Sequence, residues 1–429
     1  MRVLVCVAFL LLGTGSALAE PADPDRIRTE SLVAVYQRTE SWPVKALALL
    51  ALGERWHPKG AEIVADALRS TDHRLQAYAI ETLRTTPPAH LRCVLVPDLL
   101  SALIRMQLRE TNPRVRVHLL LVLARTFPRA GAVTRHGWQQ WWRETKDTYA
   151  PRPWKERPPP DAGETKTVPA PSILDRAFDL SQGGIQLVLV VDTTGSMQPL
   201  IDAVRAGLRD VFAFLSGITT DFELGLVHYR DVGDLASKDE ESAGADVLSR
   251  LTTDVAQVRK RLDKIVAGGG GDMPERVSAG LWLALQRKVG WKAEANKMVI
   301  ILGDAPPHAI ERTAKLAQEA RQDPDALLQP KRRVVTGPRR GPRTRPFLTS
   351  AVAVGQMGPA HVTMRAFRRI SEAGGGAYVA FSTQGETRQV TTDIVKRLVE
   401  LSFGQRYLKE ARRLVDIYFA YRDAGFIRE

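Results

Sequence analysis

The stretch VLVVDTTGSMQPL, Val188 to Leu200, decides the fold. Val188 to Val191 are apolar at consecutive positions, so a strand here must be covered on both faces. Asp192 ends the run, Thr194 and Ser196 follow, and Pro199 suits the first turn of a helix. An acid and hydroxyls between a buried strand and a helix fit four things: a nucleophile turn, a phosphate cradle, a metal cup or a helix cap.

Working outward, strand and helix patterns alternate to the end of the chain. Strands are expected at 185–191, 222–229, 297–302, 348–354 and 377–381. Helices are expected at 199–215, 255–266, 274–287, 310–321, 362–373 and 392–401, with a last amphipathic helix over 406–424. Near-continuous apolar strands alternating with helices predict an α/β fold, a doubly wound, mostly parallel sheet with helices on both faces. Ligands of such sheets gather at the carboxyl ends of the strands.

Three loops then fall at one edge. Asp192, Thr194 and Ser196 follow the first strand, and Asp304 ends another in LGDAPPH. Asp272 lies in GGGGDMPE, before a helix, where four glycines allow close approach of the backbone. Oxygen donors of this kind suit a hard divalent ion, Mg²⁺ first, then Mn²⁺ or Ca²⁺. Capping explains Thr194, Ser196 or Asp304 singly, but not their coincidence in three loops. A nucleophile elbow needs Gly-x-Ser-x-Gly, and Ser196 lacks the second glycine. A P-loop needs Gly-Lys-Ser/Thr, where GGGGDMPE offers an acid.

DTTGS is similar to the Asp-x-Ser/Thr-x-Ser element of the von Willebrand factor A (vWA) domain and its metal-ion-dependent adhesion site. GGGGDMPE, LGDAPPH and GLVHYRDVGD (Gly225 to Asp234) resemble later elements of a subgroup of vWA proteins outside the integrins. The resemblance covers about residues 185–381 and implies that Asp192, Thr194 and Ser196 hold the ion. Asp304 would act directly or through water. The family's commoner form has a threonine where Asp272 stands, which separates Asp272 from the rest. In vWA domains the ion completes its shell with a partner's carboxylate, so the resemblance implies metal-dependent binding of an acidic residue on a protein partner. It implies no small-molecule cofactor and no catalysis. A metal-dependent hydrolase would need a general base beside the ion, for which His308 and Glu275 are the candidates. A scaffold in which the metal only stiffens the fold is a third reading. Tyr229, Arg230 and Asp231 read as a strand end tied by ion pairing.

The first third is different. PVKALALLAL, HRLQAYAIETL and PRVRVHLLLVL, from Pro43, His73 and Pro113, align with Leu52, Leu83 and Leu123 in step. Ser41, Asp72 and Asn112 precede them as turn or capping residues. Further amphipathic helices lie near 60–70 and 97–110. A helical pair recurring every 30 to 40 residues predicts an all-α solenoid over 20–148, similar to HEAT repeats and a second interaction surface. Trp138, Trp141 and Trp142 share one helix face that covers its end. Proline density over 149–171 marks a linker, so the vWA domain is expected at 172–403 and a C-terminal helix at 404–429.

Residues 1–19 carry Arg2, an apolar run and Ala17-Leu18-Ala19, the pattern of a signal peptide cleaved after Ala19. An uncleaved anchor is the competing reading. No later segment is long and apolar enough to span a bilayer, so an exported, bacterial-type protein is expected, secreted or periplasmic. Beyond the leader one cysteine remains, Cys93, expected as a buried, inert thiol. The net charge is +13, and residues 330–346 hold seven Lys/Arg and no acid. That loop reads as solvated, with polyanion contact as the alternative.

Overall fold

The computed structural model describes residues 24–53, 57–128, 130, 134–155, 172–231, 241–270, 274–328, 344–355, 358 and 361–427. The expected leader at 1–19, Asp272 and most of the basic stretch lie outside these. Two compact units divide the chain: residues 1–37, 49–70 and 79–169 form one, and 38–48, 71–78 and 170–429 the other.

The first unit is helical. Its elements are α1 (Pro24–Arg38), α2 (Trp42–Leu52), α3 (Ala61–Arg69), α4 (His73–Thr85), α5 (Pro88–Val94), α6 (Pro97–Arg109), α7 (Pro113–Thr126) and α8 (Arg135–Thr145), the leading turns of α2 and α4 belonging to the second unit. Helix α6 packs between α3 and α8. Arg69 pairs with Asp98 at 2.8 Å, and Trp142 Nε1 donates to Ser101 Oγ at 3.1 Å. A second row is joined through backbone carbonyls. The Thr82 hydroxyl donates to Leu49 O at 2.8 Å, and Arg125 Nη2 donates to Leu83 O and Thr86 O at 2.7 and 2.6 Å. Leu52, Leu83 and Leu123 are all fully buried. Trp138 is buried and lies edge-on to Trp141, which packs on Phe127, so the aromatic face of α8 turns inward as its spacing predicts. Asn112 caps α7 by accepting from Arg114 N and Val115 N, and Asp72 accepts from Arg74 N. Cys93 is half-buried rather than buried, and desolvation raises its thiol pKa.

The second unit contains α9 (Ile173–Gly183), β1 (Ile185–Asp192), α10 (Gln198–Ile218), β2 (Phe222–Tyr229), β3 (Ala245–Thr252), α11 (Val255–Leu262), α12 (Val277–Ala284), β4 (Asn296–Gly303), α13 (Ile310–Gln322), α14 (Pro324–Leu328), β5 (Phe347–Val354), α15 (Val362–Ala373), β6 (Gly375–Phe381), α16 (Thr387–Phe403) and α17 (Leu408–Asp423). Among the described residues its sheet has six strands in the order β3-β2-β1-β4-β5-β6. All neighbours are parallel except β2 and β3. β1 and β4 are buried at every position, their apolar runs Leu187–Val191 and Met298–Leu302 at the centre of the sheet. Val188, Val190, Val299 and Ile301 face a core closed by α12, α13 and α15. Helices α10 and α16 cover the other face, and α17 packs on α16.

β3 and α9, like the helices α1 and α14, went unread in sequence. β3 is an antiparallel edge strand, half exposed, with register irregularities against β2, so it shows no continuous apolar run. α9 follows the proline-rich segment and begins with a capping box from Ser172 and Asp175. The expected helix over 274–287 begins only at Val277, because Glu275 bridges to Pro307. The Ser41 hydroxyl donates to Gly217 O at 2.9 Å, its carbonyl accepts from Lys45 N, and Trp42 beside it packs among Tyr78, Phe214 and Tyr418.

Candidate metal centre at the carboxyl edge of the sheet

From β1 the chain crosses to β2 on one side, while β4 lies on the other. The carboxyl ends of β1 and β4 therefore flank the point where strand order reverses, the usual crevice for a ligand. Asp192 ends β1 and Asp304 immediately follows β4.

Asp192 is fully buried. Thr194 donates to its Oδ1 twice, from the backbone N–H at 2.9 Å and the hydroxyl at 2.7 Å. Its Oδ2 has no hydrogen-bond partner among the described residues. Burial pushes the Asp192 carboxyl up to about 7, opposed by the two Thr194 bonds and helped by the Asp304 and Asp231 charges. Glu275 is in a similar state. It is buried, its Oε2 lacks a partner among the described residues, and burial with the nearby Asp192 and Asp231 pushes it up to about 8. Its backbone donates to Pro306 O and accepts from His308 N, which ties its loop to the one after Asp304.

Capping does not account for these residues. Thr194 turns its hydroxyl to Asp192, and α10 begins after a 3-10 turn, with no side-chain cap at either start. Ser196 is exposed on that turn. Asp304 is half-buried, and α13 starts later, with Ala309 at its N-cap. Glycines shape the space around them. A Cβ on Gly270, at φ +76°, would fall 2.8 Å from Thr194 Cβ. One on Gly303 would fall 2.3 Å from Tyr229 Oη, 3.2 Å from Phe367 Cζ and 3.5 Å from Asp192 Oδ2.

The structure thus brings Asp192, Thr194 and Asp304 to one edge, with Ser196 at its rim. Asp272 lies outside the described residues. Glu275, read in sequence only as a possible base, and Asp231, read only as a strand end, join the carboxylates around Asp192. The signal for Asp231 was present, since β2 pairs in parallel with β1 and Tyr229 lies opposite Asp192. Burial and the surrounding carboxylates hold the Tyr229 phenol well above its usual pKa. His308 is exposed. Among the described residues no three His, Cys, Asp or Glu side chains form a metal-ligating group, so any ion here would rely on hydroxyls and water as well.

The doubly wound sheet is the one that the resemblance implied. Its strands run β3-β2-β1-β4-β5-β6, all parallel but one pair. No family model matches the chain. The alpha-protein kinase vwkA of Dictyostelium discoideum is 30% identical over 150 residues, which are 33% of this chain and 22% of that protein. The match therefore spans about a fifth of that relative's length. Among solved structures, the chain is similar to the SpRpn10 VWA domain (11% identity, TM-score 0.34, 50% of this chain and 94% of that one). It is also similar to the conserved hypothetical protein BatB from Bacteroides thetaiotaomicron (12%, 0.34, 51% and 99%). A third is the pilus adhesin SpaC from Lactobacillus rhamnosus GG (16%, 0.34, 50% and 30%). No helix of the described residues is long and apolar enough to cross a membrane.

Proposed function

We propose that this vWA-type domain holds a divalent cation, Mg²⁺ first, at the carboxyl edge of its sheet and uses it to bind an acidic side chain of a protein partner. One observation carries the reading: two buried carboxylate oxygens, Asp192 Oδ2 and Glu275 Oε2, stand without hydrogen-bond partners among the described residues. Buried acids are ordinarily paired or coordinate a metal. Thr194 orients Asp192 by occupying its other oxygen, and Ser196 offers a hydroxyl at the rim. Asp192, Thr194, Ser196 and Asp304 would hold the ion, with Asp272 as a further donor. When bound, the ion supplies a positive centre for a directed, charge-assisted contact with a carboxylate.

Export through a leader at 1–19 and HEAT-like use of the helical unit as a second binding surface complete the proposal. Two surfaces on one chain raise the effective concentration of one partner near another. Titration of Mg²⁺ and Mn²⁺ into the wild type and Asp192→Ala tests the ion site; equal, negligible binding by both sinks it. Capture of partners from the cell envelope should then fail in EDTA and with Asp192→Ala.

A second reading, metal-dependent hydrolysis, has one observation in its favour. Glu275 at about 8 lies in the range of a general base near neutral pH. Hydrolytic turnover that Glu275→Gln abolishes while ion binding persists would favour it over recognition.

A further inference from the structure

The amino edge of the same sheet carries the opposite charge. A cavity of about 490 Å³ opens where β4, β5 and β6 begin. Its lining presents Arg176 of α9, Lys297 of β4, Arg321 of α13, Arg345 before β5, and Arg406 between α16 and α17. One acid, Asp179, stands against these five cations.

That acid is already shared. Arg345 Nη1 donates to Asp179 Oδ1 at 2.8 Å and Arg176 Nη1 to Oδ2 at 3.1 Å, while both donate to Asn296 Oδ1. The Lys297 side chain is buried and donates to the carbonyls of Ala293 and Ala295 at 2.6 and 3.2 Å. Desolvation lowers both Arg176 and Lys297, the lysine to about 8. Arg321 and Arg406 have no carboxylate partner among the described residues. Gly375, at φ +69°, makes room for Arg321, whose Nε would lie 2.7 Å from a Cβ there. Converging like charges on a partly buried wall cost free energy unless an anion joins them.

We propose that this cavity binds a linear oligophosphate, with Arg321 and Arg406 closing on its oxygens from opposite rims. Guanidinium forks match phosphate oxygens in geometry. Arg321 and Arg406, beside an Arg176–Arg345 pair that shares one carboxylate, call for a multiply charged anion. The volume falls within the range of about 300–1,000 Å³ found for small-ligand sites and exceeds what a single phosphate fills. The carboxyl-edge site lies a full strand away, about 23 Å at ~3.3 Å per residue over β1, so the two can be tested separately.

The test is calorimetric titration of tripolyphosphate into the full chain in EDTA. The expected result is saturable binding at one site, weakened about tenfold by Arg321→Ala and by Arg406→Ala. Both side chains are exposed, and unchanged thermal midpoints would show that the variants fold. Two controls should bind like the wild type: Arg250→Ala on the exposed edge strand, and a variant with Lys331, Arg332, Arg333, Arg339, Arg340 and Arg343 changed to glutamine. Absence of saturable binding overturns the proposal. So does an equal loss in either basic control, which would mark diffuse attraction to a cationic protein.

Discussion

Thr194 gives both its backbone N–H and its hydroxyl to Oδ1 of Asp192, which leaves Oδ2 buried with no partner among the described residues. The turn that shapes the site therefore satisfies half of one carboxylate and reserves the other half. That division makes the site's response to pH and to metal calculable in direction.

Asp192 and Glu275 are pushed up to about 7 and about 8, above the ordinary carboxyl range of about 4. The folded, metal-free protein therefore binds more protons than the unfolded chain between those limits. Their contribution to stability is complete below about pH 4 and is lost as pH rises through about 7 to 8. The difference in unfolding free energy between Asp192→Asn and the wild type in EDTA should accordingly widen in the variant's favour from pH 4.5 to 8, reaching ~1–3 kcal/mol. Excess Mg²⁺ should stabilise the wild type most at the upper end and leave the variant unmoved. A constant difference across that range would contradict the assignment.

Thr194→Val removes one of the two bonds to Asp192 Oδ1 and keeps the backbone one. The expected stability cost is about 1 kcal/mol. Ion affinity should fall by about tenfold or more if the hydroxyl is also a ligand, since a lost charge-assisted contact is typically worth ~1.5–3 kcal/mol. Parallel denaturation and Mn²⁺ titration measure both.

Gly303→Ala would set a methyl 2.3 Å from Tyr229 Oη. Overpacking of this kind typically costs ~1–3 kcal/mol. Tyr229→Phe removes the contacting oxygen, so the double variant should recover much of the loss. Urea denaturation of the four members of the cycle tests this, and additive losses would place the clash elsewhere.

Trp42 packs among Tyr78, Phe214 and Tyr418, yet its Nε1 has no partner among the described residues. Trp42→Phe should therefore cost less than Trp42→Ala, for which ~3–5 kcal/mol is typical of a buried aromatic. Chemical denaturation of the pair decides it; similar losses would mean that indole shape, not apolar burial, matters there.

Much of the sheet unit was legible. The strand at Phe222–Tyr229 and the helix at Val362–Ala373 begin and end where their patterns predict. Both are half of a buried interface, and their apolar spacing reports it. β3 was not legible, because an edge strand answers to one neighbour and alternates burial with exposure. Asp192 and Asp304 could be placed at one edge because each terminates an apolar run. Glu275 could not, since its position follows from backbone bonds to Pro306 and His308 in another loop.

By itself the sequence determined the order of five strands and of most helices, the acid and hydroxyl turn after β1, and the ends of the strands at which acids stand. These are local properties, written in side-chain period and in turn chemistry. Tertiary structure alone decided that Asp231 and Glu275 join Asp192, that two carboxylate oxygens are buried without partners among the described residues, and that cationic side chains line a cavity at the opposite edge. Each depends on which strands pair and how deeply the groups are removed from water, and desolvation is a property of the packed neighbours rather than of the residue.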